Sequence, residues 1–401
     1  MRIGFCLTAF AIGCLFSVMI RANNATGQST AVDISQVVES IAEQEATVTP
    51  IEMEIIKREF AVTKDGQSIA HFICKNKNGY SFEVIEYGAT ITAVKTPDKE
   101  GLVENITLSC EGLEGYQACT SYFGSTVGRY CNRIAKGKFS IDGKEYSLAT
   151  NNGPNHLHGG TKGFDKQIWK AERLMTESLV GVRLTLTSKN GDEGYPGTVL
   201  ATVDYTLNND NEFKVDITAT TDAATHINLT NHNYWNLGGA GSGTILKHQL
   251  QLESDKYLPV DKTGIPTGEQ AGVEGTPFDF RKTTAIGERL DQVGDDPKGY
   301  DHNYVLRSYP VKEGVALAAT VFDPESGRKM EIHTDQPGIQ FYTGNFLDGQ
   351  PGSGGFNQHA AFCLETQFFP DSPNRPDFPS TLVKPGQTYR HTTVHKLSVV
   401  K

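Results

Sequence analysis

The stretch Thr230-Asn-His-Asn-Tyr-Trp-Asn-Leu sets one histidine, His232, among three asparagines and two aromatics. Histidine titrates near neutral pH and readily gives or takes a proton. Aromatic faces cover the C–H surface of a sugar while amides bond its hydroxyls, so the composition suits a carbohydrate. A hydrogen-bonded structural histidine is the commoner case, and Tyr234 and Trp235 also fit plain core packing. Glu365 is the stronger clue. It sits in the middle of the apolar run Phe362-Cys-Leu-Glu-Thr-Gln-Phe-Phe. An ionised carboxylate there is costly unless it is paired or faces a cleft. A cleft would also raise its pKa, which suits a general base. The even alternative is a side chain on the outer, solvated face of a strand.

Two more stretches carry polar groups beside apolar ones. Gly128-Arg-Tyr-Cys-Asn-Arg-Ile-Ala holds Arg129 and Arg133. Arg133 reads either as a surface ion pair or as a fork donating to a ligand oxygen. Lys136 and Lys138 read as solvated charges. Asn155-His-Leu-His-Gly-Gly holds His156 and His158, two positions apart. In a strand, such positions share a face, so periodicity does not separate them. Metal ligation by these histidines would need Cys, Asp or Glu partners at recognisable spacing. The chain has no HExxH and no Cys pair of that kind, no phosphate-binding GxxxxGK[ST] and no strand–GxGxxG–helix unit. It also lacks a GxSxG serine. No metal and no cofactor are expected.

The elements that must position these groups read as short strands. Ile69–Cys74, Ser81–Tyr87, Ala89–Val94, Val182–Thr187, Val199–Tyr205 and Glu212–Thr218 are β-rich, with turn signals at Asn78-Gly79, Asp142-Gly143 and Asn190-Gly191. Asp142-Gly143 lies between Gly137-Lys-Phe-Ser-Ile and Lys144-Glu-Tyr-Ser-Leu, which predicts a hairpin. Gly makes up 41 of 401 residues, above the usual share of about 7%, as many tight turns require. No long amphipathic helix follows Pro50. The expected fold is all-β, a large antiparallel β-sandwich with few short helices, over 53–401.

Before it, Met1-Arg2, the apolar run from Phe5 to Ile20 and the small polar Arg21-Ala-Asn-Asn-Ala read as a signal peptide over 1–22. The run is short of the roughly 20 residues a spanning helix needs. Export to a periplasm or the exterior is expected, without stable membrane association after cleavage. An uncleaved anchor, or a lipid on Cys14, is the alternative. Residues 23–52 read as a linker with a short helix, from the helical spacing of Ile34, Val37, Val38 and Ile41. Five cysteines remain after the signal, an odd number without CxxC spacing, expected as buried small hydrophobes. The net charge of −10 argues against a nucleic-acid surface.

Taken together, these stretches resemble the aldose 1-epimerase, or galactose mutarotase, family. The matching segments run in order from about residue 58 to the C-terminus. They are Tyr122-Phe-Gly-Ser-Thr-Val-Gly-Arg-Tyr-Cys-Asn-Arg-Ile-Ala-Lys-Gly, Leu157-His-Gly-Gly, Gly163-Phe-Asp-Lys, Asp192-Glu-Gly-Tyr-Pro-Gly and Leu229-Thr-Asn-His-Asn-Tyr-Trp-Asn-Leu. Tyr257-Leu-Pro-Val-Asp, Gly299-Tyr-Asp-His-Asn-Tyr, Gln336-Pro-Gly-Ile-Gln-Phe-Tyr-Thr-Gly-Asn and Leu364-Glu-Thr-Gln follow. The resemblance implies a single β-sandwich with an open cleft that interconverts α and β anomers of free aldohexoses such as glucose and galactose, without metal or cofactor. It implies Glu365 as general base, His232 as general acid and His158 as a second active-site histidine. Arg133, Asn132, Asp301 and Gln340 are the implied sugar-binding positions. His156 falls in a free slot and reads as structural or rim-exposed. Gly159 and Gly160 are expected to let backbone approach the cleft, and Trp235 to bear on sugar preference. Free aldoses are the expected partners, with a monomer or homodimer as the assembly. The rival readings are a non-catalytic sugar-binding protein of the same fold, a sugar-phosphate epimerase, and a polysaccharide lyase or hydrolase.

Overall fold

Along Val199–Asn208, buried and more accessible residues alternate, so Val199, Ala201, Val203, Tyr205 and Leu207 all turn to one side. This period of two is what a half-buried strand imposes. The same alternation recurs in Glu212–Thr221 and Arg328–Thr334. These strands belong to a nine-stranded antiparallel sheet in the computed structural model, which describes residues 19–23, 29–33, 52–294 and 297–401. The C-terminal strand Thr388–Val399 lies at its centre, between Glu212–Thr221 and Arg328–Thr334.

A five-stranded meander runs in sequence order from Glu54–Val62 to Val103–Asn105. A third, five-stranded sheet has the order Ala271–Gly272, Ser254–Tyr257, Asp301–Leu306, Gly338–Tyr342, Cys363–Gln367. Phe72 and Val84 of the meander, Val203 and Ile332 of the large sheet, and Ile339, Phe341 and Leu364 of the third sheet share one buried cluster. The large sheet and the two smaller ones thus enclose a common core, as in a β-sandwich. The expected fold class is observed. The described α-helix is the seven-residue Gly112–Ala118, accompanied by short 3₁₀ turns.

The predicted hairpin is present: Lys138–Ile141 pairs with Lys144–Ser147. Asp142 and Gly143 have φ of 49° and 80°, the pair of left-handed residues that a two-residue turn between twisted strands demands. All five cysteines after the N-terminal segment are free and buried. The chain divides at Pro50. Within the first unit, Met19–Asn23 pairs antiparallel with Ser29–Asp33. Apart from those strands, the expected signal segment and the run read as a short helix lie outside the described residues.

Candidate active site

The third sheet decides where Glu365 points. Its register sets Asn303, Gln340 and Glu365 in one row, and Asp301, Tyr342 and Cys363 in the next. These six share a face. The neighbours that alternate with them, including Ile339, Phe341 and Leu364, enter the core. Glu365 is therefore not on an outer, solvated face. It is 3% exposed and forms part of the wall of an open cleft of about 230 Å³.

His232 reaches the same cleft from another direction. It follows Thr230–Asn231, which pairs with Thr126–Val127. Its N–H donates to the Ser125 carbonyl at 2.9 Å, and its carbonyl accepts from Gly124 N–H at 3.0 Å. The ring runs near parallel to two tyrosines, Tyr234 at 5.2 Å and Tyr122 at 5.9 Å between centroids. Nε2 stands 3.6 Å from Glu365 Oε1, and Nδ1 stands 3.6 Å from Cys363 Sγ.

His158 follows the short strand His156–Leu157, which pairs with Arg133–Ile134. Its Nδ1 accepts the backbone N–H of Asn132 at 3.1 Å, and its ring centre is 5.0 Å from that of His232. Arg133 donates from Nε to Asn152 Oδ1 at 3.0 Å and faces Asp301 Oδ2 at 3.7 Å. Asp301 in turn accepts from Gln340 Nε2 at 2.7 Å.

Ligand atoms of His158, His232 and Glu365 lie within 4.8 Å of one another, close enough to ask whether the trio holds a metal. The His158 bond argues otherwise. A ring that accepts at Nδ1 carries its neutral proton on Nε2, so it offers the cleft a donor rather than a lone pair. The trio suits a ligand with hydroxyl and ether oxygens better.

Electrostatics favour uncharged forms here. Burial holds the Glu365 carboxyl well above the usual carboxylate range; nearby Asp301 adds to this and Arg133 opposes it. Burial takes His232 down to about 4 and puts His158 well below its ordinary value, with His232, Arg133 and Lys166 adding to the latter. Glu365 Oε2 is buried without a hydrogen-bond partner in the cleft wall, an unsatisfied oxygen that a bound hydroxyl could engage.

Six of the seven expected positions, Glu365, His232, His158, Arg133, Asn132 and Asp301, line this one cleft. Gln340 stands behind them and braces Asp301. Tyr122, Asn152, Tyr342 and Phe346 also line it, and sequence reasoning assigned none of them a role. Cys363 was missed as well, although strand periodicity places it on the face of Glu365.

His156 is structural rather than rim-exposed: its ring bonds the Ala149 carbonyl and the Tyr195 hydroxyl, both at 2.7 Å, in full burial. Arg129 is also structural, with its guanidinium donating to the carbonyls of Pro196, Gly197, Ser188 and Lys189.

Two expectations are corrected. Trp235 does not face the cleft. It is buried in the core, with its ring 5.1 Å from His395, because the residue after Tyr234 turns to the opposite side. Gly159 and Gly160 do not bring backbone to the cleft. A Cβ on Gly159 would fall 1.7 Å from the Gly128 carbonyl oxygen, and one on Gly160 would fall 2.2 Å from Glu193 Oε2. Their smallness lets the loop carrying His158 pack on its neighbours.

A family model described as aldose 1-epimerase matches residues 71–396. A galactose mutarotase from Bos taurus is 47% identical over 79% of this chain and 91% of its own length. An aldose 1-epimerase from Escherichia coli is 36% identical over 84% of this chain and 97% of its own. Among solved structures, galactose 1-epimerase from Lactobacillus acidophilus superposes with a TM-score of 0.77 at 28% identity, covering 87% of this chain and all of that one. With this fold, this cleft and these relatives, the chain belongs to the aldose 1-epimerase family.

Proposed function

We propose that this protein interconverts the α and β anomers of free aldohexoses, galactose and glucose among them, by acid–base opening and reclosure of the ring. The observation that carries the reading is the meeting of Glu365 and His232, from separate segments of the chain, at 3.6 Å in one open cleft.

Burial favours a neutral pair in the free protein, with the shared proton on Glu365 and a neutral imidazole at His232 whose Nε2 lone pair faces it. A sugar C1 hydroxyl donating to Glu365 stabilises the carboxylate, and the faces of Tyr122 and Tyr234 attract an imidazolium. Bound sugar thereby moves the proton from Glu365 to His232, with none exchanged with solvent. Glu365 then takes the C1 hydroxyl proton, His232 gives its proton to the ring oxygen, and the C1–O5 bond breaks. The pair returns to its neutral form beside the open aldehyde. Rotation about C1–C2 and the reverse transfers close the ring from the other face. His158, Arg133, Asp301 and Asn132 hold the hydroxyls, and Gln340 holds Asp301 in place.

Polarimetry of a freshly dissolved single anomer tests this. Glu365→Gln and His232→Asn should each lower kcat at least about 100-fold, the usual weight of an acid–base partner. Near-normal rates in both variants overturn the reading. A sugar phosphate is a poorer fit. Among the described residues lining the cleft, Arg133 is the sole cation, and it already faces Asp301. Export also belongs to the reading, on the strength of residues 1–22, and N-terminal sequencing of protein recovered outside the cytoplasm checks it.

A further inference from the structure

Arg133 brings a cation to the cleft wall. A guanidinium recognises an oxygen through a flat, directional fork, so the fork must be aimed before the ligand arrives. Two of its edges are already held. Nε donates to Asn152 Oδ1 at 3.0 Å, and Nη1 faces Asp301 Oδ2 at 3.7 Å. The face of the fork rests on Gly264. A Cβ built on that glycine would fall 2.8 Å from Arg133 Cζ and 2.9 Å from both Nε and Nη1. Three atoms of one planar group at nearly equal distance put that Cβ over the face of the plane, not beyond its edge.

We infer that Gly264 is a positioning residue for sugar binding: its missing side chain gives the Arg133 guanidinium a flat seat, and the turn that carries it aims the fork at the sugar hydroxyls. The inference rests on the proposed role of Arg133 in holding the sugar.

The turn is firm, and the side chain on it is not. Asp261 N–H donates to the Ile265 carbonyl at 2.8 Å, and Gly264 N–H donates to the Asp261 carbonyl at 2.9 Å. Asp261 Oδ1 accepts from Thr263 N–H at 2.7 Å, from the Thr263 hydroxyl at 2.8 Å and from Ile265 N–H at 3.2 Å. The buried Asn155 donates from Nδ2 to Thr263 Oγ1 at 2.9 Å, which ties the turn to the segment leading into His158. Arg133 is a long side chain held by one hydrogen bond and one ion pair. A methyl group added at Gly264 therefore moves the guanidinium and leaves the turn in place.

Gly159 shows the opposite case. Its missing Cβ would meet the Gly128 backbone, which cannot swing aside. The same substitution thus falls on the fold at Gly159 and on the ligand at Gly264.

The test titrates galactose into the full chain by ligand-observed NMR, beside polarimetry for kcat and KM and urea melts for stability. Gly264→Ala should raise Kd and KM about 10-fold, the weight of a hydrogen bond to a charged group, with kcat within a few-fold. Gly66→Ala is the control for backbone strain. Gly66 sits at φ +87° with nothing within 4 Å of its missing Cβ, and Gly264 sits at φ +77°. The two variants should melt at similar urea concentrations, and Gly66→Ala should leave Kd unchanged. In an Arg133→Ala background, adding Gly264→Ala should change affinity and kcat/KM by less than about 2-fold, because no guanidinium remains to displace. Unchanged affinity in Gly264→Ala, a urea midpoint far below that of Gly66→Ala, or a full further loss on top of Arg133→Ala overturns the inference. Affinity is read without turnover. Failure here is therefore separable from failure of the acid–base reading, which the Glu365→Gln and His232→Asn rates report.

Discussion

At the residue scale, the cleft runs on two groups whose burial opposes their charges. Glu365 is pushed up and His232 down to about 4. Neither could stay so buried as a lone ion, but together they pass one proton between them. The two tyrosine rings near parallel to that of His232 matter only once it is charged. A cation over an aromatic face is worth about 0.5–2 kcal/mol, so Tyr234→Leu should lower kcat about 2- to 30-fold, while Tyr234→Phe, which keeps the face, should not. Rate measurements at saturating sugar on both variants check this. Equal losses in the two would assign the effect to the hydroxyl instead.

At the element scale, the site is a junction of short segments held by close backbone approach. The loop after His156–Leu157 packs against Gly128, so Gly159 has no room for a side chain and also sits at φ +87°. Gly159→Ala should cost about 3–5 kcal/mol of stability, through a backbone clash and a left-handed φ together. It should lower kcat as His158 shifts. Gly153 is the control: it shares a positive φ, but nothing lies within 4 Å of its missing Cβ. Gly153→Ala should cost only about 1 kcal/mol. Urea melts of both separate steric clash from backbone strain, and similar midpoints would argue against the packing account.

For the whole molecule, buried histidines shape the response to acid. Burial takes His226, His232, His248 and His395 each down to about 4. In the unfolded chain they titrate near 6.5. Between those values the unfolded chain binds more protons, so stability rises with pH across that window. Glu365 acts in the opposite sense. Its raised pKa gives stability that is present at low pH and lost as pH climbs toward its folded value. Four histidines outweigh it, so Tm should climb from about pH 4 to about pH 6.5 and then flatten. A Tm independent of pH over that interval, by scanning calorimetry, would show that these rings are not buried neutral.

The sequence by itself determined the strand-rich architecture, because period-two alternation and turn pairs such as Asp142-Gly143 act locally. Ordered motifs also sufficed to place Glu365, His232, His158, Arg133, Asn132 and Asp301 in one cleft. It could not choose between His156 and His158 on periodicity, since positions two apart share a face in a strand, whereas the strand stops at Leu157 and His158 turns at φ 49°. Only the tertiary structure turned one ring to Tyr195 and the other to His232. Nor could it send Trp235 to the core, weigh Arg129 against Arg133, or seat Cys363 against the acid. Those outcomes depend on which segment lies opposite which, and contacts between residues 39 apart (His156 and Tyr195) or 131 apart (His232 and Cys363) leave no local pattern to read.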